Sequence, residues 1–211
     1  LQGQVTEDRF TYSAVIVDND LNQSAKEVVN DWRHKSVIPI DYYCEPEQNI
    51  SLARNKAVEN VKGDIIAFID DDEFPVKTWL LNLYKTLLHY NADGTLGPVK
   101  PHYPENTPIW LIKGKLCERH EHKTGTKLHW GQTRTGNTLL NKKLFNDKQY
   151  WFDPVYGRTG GEDTMFFKKH HENGKVFIWC NEASVYETVP PERWSKDFHI
   201  SKNLRIGCGV G

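Results

Sequence analysis

Along the first half of the chain, short apolar runs of strand length take turns with stretches whose apolar residues recur every three or four positions. Thr11 to Asp18 (TYSAVIVD) reads as a strand closed by Asp18, Asn19 and Asp20. Ala25, Val28, Val29 and Trp32 then recur at helical spacing behind Ser24, a residue suited to capping a helix start. Val37 to Cys44 predicts a second strand, pushed towards a sheet edge by Pro39. Asn49 to Val61 predicts a helix with Ala53, Ala57 and Val61 on one face, stopped by Gly63. Ile65 to Ile69 follows as a third strand. Trp79 to Tyr90 is then a helix that turns Leu80, Leu83, Tyr84, Leu87 and Leu88 inward, with Asn91 to Gly94 as its exit turn. The resulting β-α-β-α-β-α order is that of a three-layer α/β domain.

The second half is less regular. Leu96 to Val99 predicts a short strand, but residues 100–135 are rich in Pro, Gly, His and Lys and carry no clear period, which marks a functional or mobile stretch. Thr138 to Leu140 predicts a buried strand, and Gly161 to Asn173 a helix with Gly174 at its C-terminal cap. Val176 to Cys180 and Ala183 to Glu187 read as strands, and a last helix from Pro191 carries Trp194, Phe198 and Leu204.

The third strand carries the chemistry. Its apolar residues run without a spacer into Asp70, Asp71, Asp72 and Glu73, and the run has the composition of a strand buried on both faces of a parallel sheet. Open α/β sheets bind ligands beyond such strand ends. Four adjacent carboxylates raise one another's pKa unless a positive group sits among them, and a hard divalent cation such as Mg²⁺ or Mn²⁺ answers that need with oxygen ligands shared with substrate phosphates. The alternative is a solvated acidic turn. A second acidic pair, Glu162 and Asp163, opens the predicted helix near residue 161, where acids also favour the helix dipole.

Composition narrows the classes. With 211 residues the chain suits one domain, and a net charge of −1 gives neither the basic footprint of a nucleic-acid binder nor a polybasic membrane patch. Cys44, Cys117, Cys180 and Cys208 lie far apart with no CxxC spacing, which argues against a zinc ribbon or disulfide framework; Cys44 and Cys180 end apolar runs and read as buried thiols. No apolar run approaches the roughly 18 residues of a membrane span. Seven Trp, nine Tyr and nine Phe serve core packing before sugar stacking. His120 and His122 lie two apart without a third ligand, and His170 and His171 cannot both face one site.

Taken in order, Val17-Asp18-Asn19, NISLARNKAV (Asn49 to Val58), FIDDDEFP (Phe68 to Pro75), Thr135-Gly136-Asn137, GGEDTMFF (Gly160 to Phe167) and VYETVPPERWS (Val185 to Ser195) resemble the family 2 glycosyltransferases with the GT-A fold. The resemblance implies a three-layer, Rossmann-like mixed sheet with helices on both faces, its nucleotide-binding half in residues 1–95 and its acceptor half in 96–211. It implies an inverting, metal-dependent hexosyltransferase of bacterial surface-polysaccharide or glycolipid assembly. The partners are then a nucleotide-sugar donor, UDP-sugar first, and a saccharide or lipid-linked acceptor, with Mn²⁺ or Mg²⁺ as cofactor. A cytoplasmic place, at most peripheral at the inner face of the membrane, follows from the same resemblance.

By motif position, Asp18 would meet the nucleotide base and Arg54 the base or diphosphate. Asp70 and Asp71 would border the nucleotide, Asp72 and Asp70 the metal, and Asp163 would be the catalytic base. Asn137, Glu162 and Trp130 would lie near the donor or acceptor sugar. The chemistry is consistent with those roles: inverting transfer needs a carboxylate to take the acceptor proton while the diphosphate leaves from the opposite face, and a carboxylate is ionised at neutral pH.

Two departures stand out. The strand and turn of type IPTYNR that usually open the family have no counterpart before Asp18, so the expectation is an N-terminally incomplete domain with a gap in the sheet beside Ile65 to Ile69. Glu187 stands where many relatives carry a metal-binding His, and is either a ligand or a surface acid. Two other readings compete: a non-catalytic sugar-binding domain, and an aspartate-dependent phosphohydrolase, which would want Thr or Val where Phe74 stands.

Overall fold

The computed structural model describes residues 1–208, without the side chains at 202, 203 and 205–208. The first strand, β1 (Ala14–Asp18), pairs in parallel with β2 (Ile40–Cys44) across the helix α1 (Lys26–Lys35), from Ala14 opposite Ile40 to Asp18 opposite Cys44. Ser24 does not cap α1. The cap position is Ala25, which offers no side chain, and Asp18 of β1 accepts its backbone N–H instead at 2.9 Å. Only Val29 of that helix is buried; Val28 and Trp32 face solvent, so the predicted apolar face is largely uncovered.

The helix α2 (Ile50–Asn60) begins where its sequence says it should: the Asn49 side chain accepts from the N–H groups of Ser51 and Leu52. Then come β3 (Ile65–Phe68), a three-residue strand β4 (Glu73–Pro75), and the helix α3 (Trp79–His89), which buries Trp79, Leu80, Leu83 and Leu87. The run predicted as one strand at Leu96 to Val99 is two, β5 (Gly94–Leu96) and β6 (Val99–His102), because the chain turns at Gly97 and Pro98 into a different sheet. At Gly97 a Cβ would lie 2.3 Å from the Ala183 carbonyl oxygen, so only glycine fits this close crossing. A short helix α4 (Ile109–Lys113) lies in the irregular stretch. It is followed by β7 (Thr138–Asn141), α5 (Glu162–Glu172), β8 (Phe177–Trp179), β9 (Val185–Thr188) and α6 (Lys196–Cys208).

The strands form three sheets. A four-stranded one runs β3-β7-β5-β8, with β7 antiparallel to both neighbours and β8 parallel to β5; a three-stranded one runs β4-β9-β6; and β1-β2 stands as a pair. The acidic strand β3 is therefore antiparallel to its partner and lies at a sheet edge, and Ala67 is exposed, where a parallel strand buried on both faces was the expectation. Among the described residues β3 pairs with β7 alone and β1 with β2 alone.

The core sits in two clusters. One gathers Phe145, Phe152, Phe166, Phe167 and Phe177 with Trp179, the other Trp79, Leu83, Leu139 and Val185 on the opposite side of the sheet. The largest buried side chains are thus aromatic, each contributing about 1.5–3 kcal/mol, while every tyrosine and most tryptophans stay partly buried or exposed. Cys180 is buried as expected, whereas Cys44 is half-buried. Trp194 precedes α6 and Leu204 is exposed, so the last helix starts later than its sequence suggests.

Candidate active site

The acidic run leaves β3 and folds into a tight turn. Glu73 donates its N–H to the Asp70 carbonyl, and its carboxylate accepts the Asp70 N–H, both at 3.2 Å. Asp71 and Asp72 point into solvent from the middle of this turn. Asp70 keeps an open rim, yet its carboxyl is held above the usual range, first by burial and then by Asp72 and Asp71, against the pull of Arg54 and Arg119. Burial and then the Asp70 charge push Glu73 up to about 7. Mutual repulsion among the acids is real, but desolvation is the larger cause for both.

Gly136 closes over this turn. A Cβ there would stand 3.0 Å from Asp70 Oδ2 and 3.2 Å from Glu73 Oε1, so the Thr135-Gly136-Asn137 turn lies directly on the acids. The expectation of a donor-sugar contact at Asn137 does not hold. Asn137 has no exposed surface, accepts from Trp79 Nε1 at 2.7 Å, and donates to the carbonyls of Pro98 at 2.9 Å and Ala183 at 2.7 Å. Its φ of 59° is one that Asn tolerates, and the residue locks the crossing of the two larger sheets.

The second acidic pair divides its labour. Glu162 is buried and takes Arg54 Nη1 on its Oε1 at 2.5 Å, so it faces the protein and not a sugar. Arg54 also lies 5.6 Å from the centre of the Phe152 ring, and its charge pulls the Asp70 pKa down against burial. Asp163, the next residue, is half-buried and uses one oxygen on the Thr164 N–H. Behind it, Gly160 and Gly161 take φ of 85° and 99°, which a residue with a Cβ rarely adopts.

Much of the NISLARN motif is structural. Asn55 exchanges two hydrogen bonds with the backbone of Phe152, Ser51 donates to the Asp153 carbonyl, and Asn49 donates to that of Pro154. These polar side chains fasten α2 to the segment that leads into α5, which sets where Asp163 stands. Asp18 is buried, with Tyr42 and the Ala25 N–H both on Oδ2; desolvation, then this bond, raises the tyrosine to about 12. Next to it, Asn19 reaches the carbonyls of Glu45 and Glu47, and with Asn49, Ile50, Gly157 and Arg158 it lines a cleft at the end of β1. Trp130 packs on the edge of the aromatic core with the Lys168 ammonium 5.4 Å from its ring.

Glu187 is not an open metal ligand. It stands opposite Glu73 across β9 and β4, and both its oxygens are taken by guanidinium groups, Oε2 by Arg119 at 2.6 Å and Oε1 by Arg193. A third arginine, Arg134, acts on Glu73, Asp163 and Glu187, and burial lowers it to about 10, so it stays cationic at neutral pH. The sequence reading did not single out these arginines, and no spacing links 119, 134 and 193. The one usable signal was Arg193, inside the PPERW segment.

No three His, Cys, Asp or Glu side chains among the described residues converge as a metal cage. Asp70 and Asp72 nevertheless supply adjacent hard oxygen donors at an electrostatically strained turn, a donor set that suits Mg²⁺ or Mn²⁺ completing its shell with phosphate oxygens and water.

A mixed α/β fold with an acidic strand end after β3 and a second acidic pair at the start of α5 is that of the GT-A class, and solved structures of glycosyltransferases share it. Staphylococcus aureus TarS 1-349 in complex with UDP-GlcNAc superposes with a TM-score of 0.64 at 18% identity, over 92% of this chain and 56% of that one. GalNAc-T7 with UDP, GalNAc and Mn²⁺ gives 0.60 at 13% identity, over 87% and 39%. The sequence profile of Glycosyl transferase family 2 matches residues 4–174, and the chain belongs to that family. Among its relatives is the succinoglycan biosynthesis protein ExoM of Rhizobium meliloti (strain 1021), 34% identical over 203 residues; the match covers 95% of this chain and 64% of ExoM's length. The chondroitin synthase of Escherichia coli is 23% identical over 232 residues, covering 93% and 33%.

Proposed function

We propose that this chain carries the catalytic domain of an inverting glycosyltransferase that moves a sugar from a UDP-sugar donor to a saccharide or lipid-linked acceptor in polysaccharide assembly. The observation that carries this reading is the ion pair of Arg54 on α2 with Glu162, the residue before Asp163, made by an arginine whose charge also reaches Asp70 after β3. Asp163 takes the proton of the acceptor hydroxyl as that oxygen attacks the anomeric carbon. The bond from that carbon to the donor diphosphate breaks on the opposite face, and the configuration inverts. Asp70 and Asp72 would hold a Mg²⁺ or Mn²⁺ ion, which would supply Lewis-acid stabilisation of the charge on the leaving diphosphate. Asn19 and the cleft at the end of β1 lie where the nucleoside is received, with Asp18 stiffening that end through α1.

Neighbours solved with UDP and with UDP-GlcNAc support the donor class, and ExoM supports polysaccharide assembly as the setting. No described helix is long and apolar enough to cross a membrane; a peripheral place at the inner membrane face fits a lipid-linked acceptor.

The test is a thermal-shift panel of UDP, GDP, dTDP and CDP with and without Mn²⁺, followed by Asp163→Asn. A ligand at about 100 times its dissociation constant stabilises the fold by about 2.7 kcal/mol. The expected pattern is a Mn²⁺-dependent shift with UDP that Asp163→Asn retains, with transfer reduced by about 10²–10⁴-fold. Transfer at wild-type rate in Asp163→Asn would remove that residue as the base.

A further inference from the structure

The short helix α4 is held to the protein by one buried side chain, Leu111, which has no exposed surface. The large apolar side chains around it face solvent: Ile109 is 68% exposed, Trp110 37%, Ile112 39%, and Leu116 in the following turn 43%. This is not a loose loop. The N–H groups of Gly114 and Lys115 donate to the Trp110 and Ile112 carbonyls at 2.9 and 3.1 Å, and the Lys115 carbonyl receives the Glu118 N–H at 3.1 Å. A hydrogen-bonded knob thus holds contiguous apolar side chains in water, the mark of a surface that something covers.

The patch continues onto α6. The Lys196 ammonium stands 5.9 Å from the Trp110 ring and the His199 ring 6.3 Å from it, and Ile200 and Leu204, one helical turn apart, are exposed as well.

The net charge of −1 conceals a local asymmetry. Residues 109–129 carry five Lys or Arg against two Glu and no Asp. Lys113 and Lys115 sit on the knob itself, both exposed, with Glu118 against Lys115 at 3.4 Å. Lysine is depleted where protein meets protein. Lysine beside Trp and Ile is instead the composition of a segment lying in a bilayer interface, where the apolar side chains enter the acyl boundary and the lysine stems reach back to the lipid phosphates. The same segment leads to the candidate site: Arg119, three residues beyond Leu116, donates to Glu187 at 2.6 Å, and Glu187 stands opposite Glu73 of the acidic turn.

We propose that α4 and the turn after it, together with the exposed face of α6, form a docking surface for an anionic lipid bilayer. The proposal rests on the reading of a lipid-linked acceptor and adds the surface that meets the membrane carrying it.

The experiment is co-sedimentation with vesicles of phosphatidylcholine alone and of phosphatidylcholine with about 40% phosphatidylglycerol, at low and high salt. The expected result is binding to the anionic vesicles about tenfold or more tighter than to the neutral ones, weakened by salt. Ile109→Ser combined with Ile112→Ser should weaken it by about tenfold or more, and Lys113→Gln and Lys115→Gln by about fivefold each. Melting points should stay at the wild-type value, because the altered side chains are exposed. Failure of the wild-type protein to pellet with anionic vesicles overturns the proposal, as does pelleting that the double serine variant leaves unchanged. A wild-type dimer in sedimentation velocity that those serines dissociate, without vesicle binding, also overturns it and assigns the face to a second copy. Vesicle binding needs no nucleotide, so the two readings fail separately. Pelleting without any nucleotide-induced thermal shift supports the surface and removes the transferase reading; a UDP shift without pelleting removes the surface alone.

Discussion

Arg54 on α2 and Glu162 on α5 lie 108 positions apart in sequence and meet at 2.5 Å, with only 16% and 9% of their side chains exposed. A pair this dry holds two segments in register but gives little net stability over an apolar pair of the same shape. Removing one partner strands the other. Arg54→Met or Glu162→Leu should therefore each cost about 3 kcal/mol or more, while the double replacement recovers much of that loss. Urea denaturation of the three variants checks this, and strictly additive losses would count against a coupled pair.

Gly136 sets how close the acids lie to the turn above them. Its φ is not in the left-handed region, so Gly136→Ala strains no backbone, but the new Cβ would lie 3.0 Å from Asp70 Oδ2. Asp70 must give by a few tenths of an ångström. We expect a melting point close to wild type and transfer slowed by about tenfold, in line with the cost of small displacements in a positioned site. An unchanged rate would mean that Asp70 works with slack.

What the sequence told about this site, and what it withheld, follows from range. Asn49 announced a helix start and Gly174 a helix end because a cap is satisfied within a few residues. The run Ile65 to Asp72 announced an acidic strand end for the same local reason. Its partner was not legible, since whether β3 runs parallel or antiparallel depends on β7, more than 70 residues on. Glu187 looked like a ligand because one residue that claims it, Arg119, stands 68 positions away, and the other, Arg193, reaches it only through the turn of its own motif. The strand β4 has three residues and exists through its pairing with β9, which no local period could reveal.

Asn137 gives the sharpest contrast between appearance and role. A Thr-Gly-Asn turn beside catalytic acids suggests a ligand contact, yet the amide is spent on Trp79, Pro98 and Ala183. Asn137→Ala would leave the Trp79 indole N–H and the Ala183 carbonyl unpaired in the core, take one of two donors from the Pro98 carbonyl, which keeps the Val185 N–H, and strain an alanine at positive φ. The expected loss is about 2–4 kcal/mol of stability. Donor KM in the protein that remains folded should stay within about twofold of wild type; a KM rise without destabilisation would return Asn137 to the sugar site.

His170 adds a pH dependence to the fold that is independent of catalysis. It is 2% exposed, its ring lies 4.5 Å from that of Phe166, and its Nε2 finds no partner among the described residues. Burial, helped by Lys175 and Lys169 and opposed by a backbone hydrogen bond at Tyr150 and by Asp93, lowers it to about 4. The folded state therefore prefers the neutral ring, whereas the unfolded chain takes up the proton near pH 6.5. Between those values the unfolded state binds more protons, so stability falls as pH drops from about 6.5 to 4 and levels off below, for a total of roughly 3 kcal/mol. His170→Leu keeps the apolar packing and deletes the titration. Denaturation at pH 7, 5.5 and 4.5 should show wild type losing stability relative to this variant by up to that amount, and parallel curves for the two proteins would mean that His170 charges freely in the folded state.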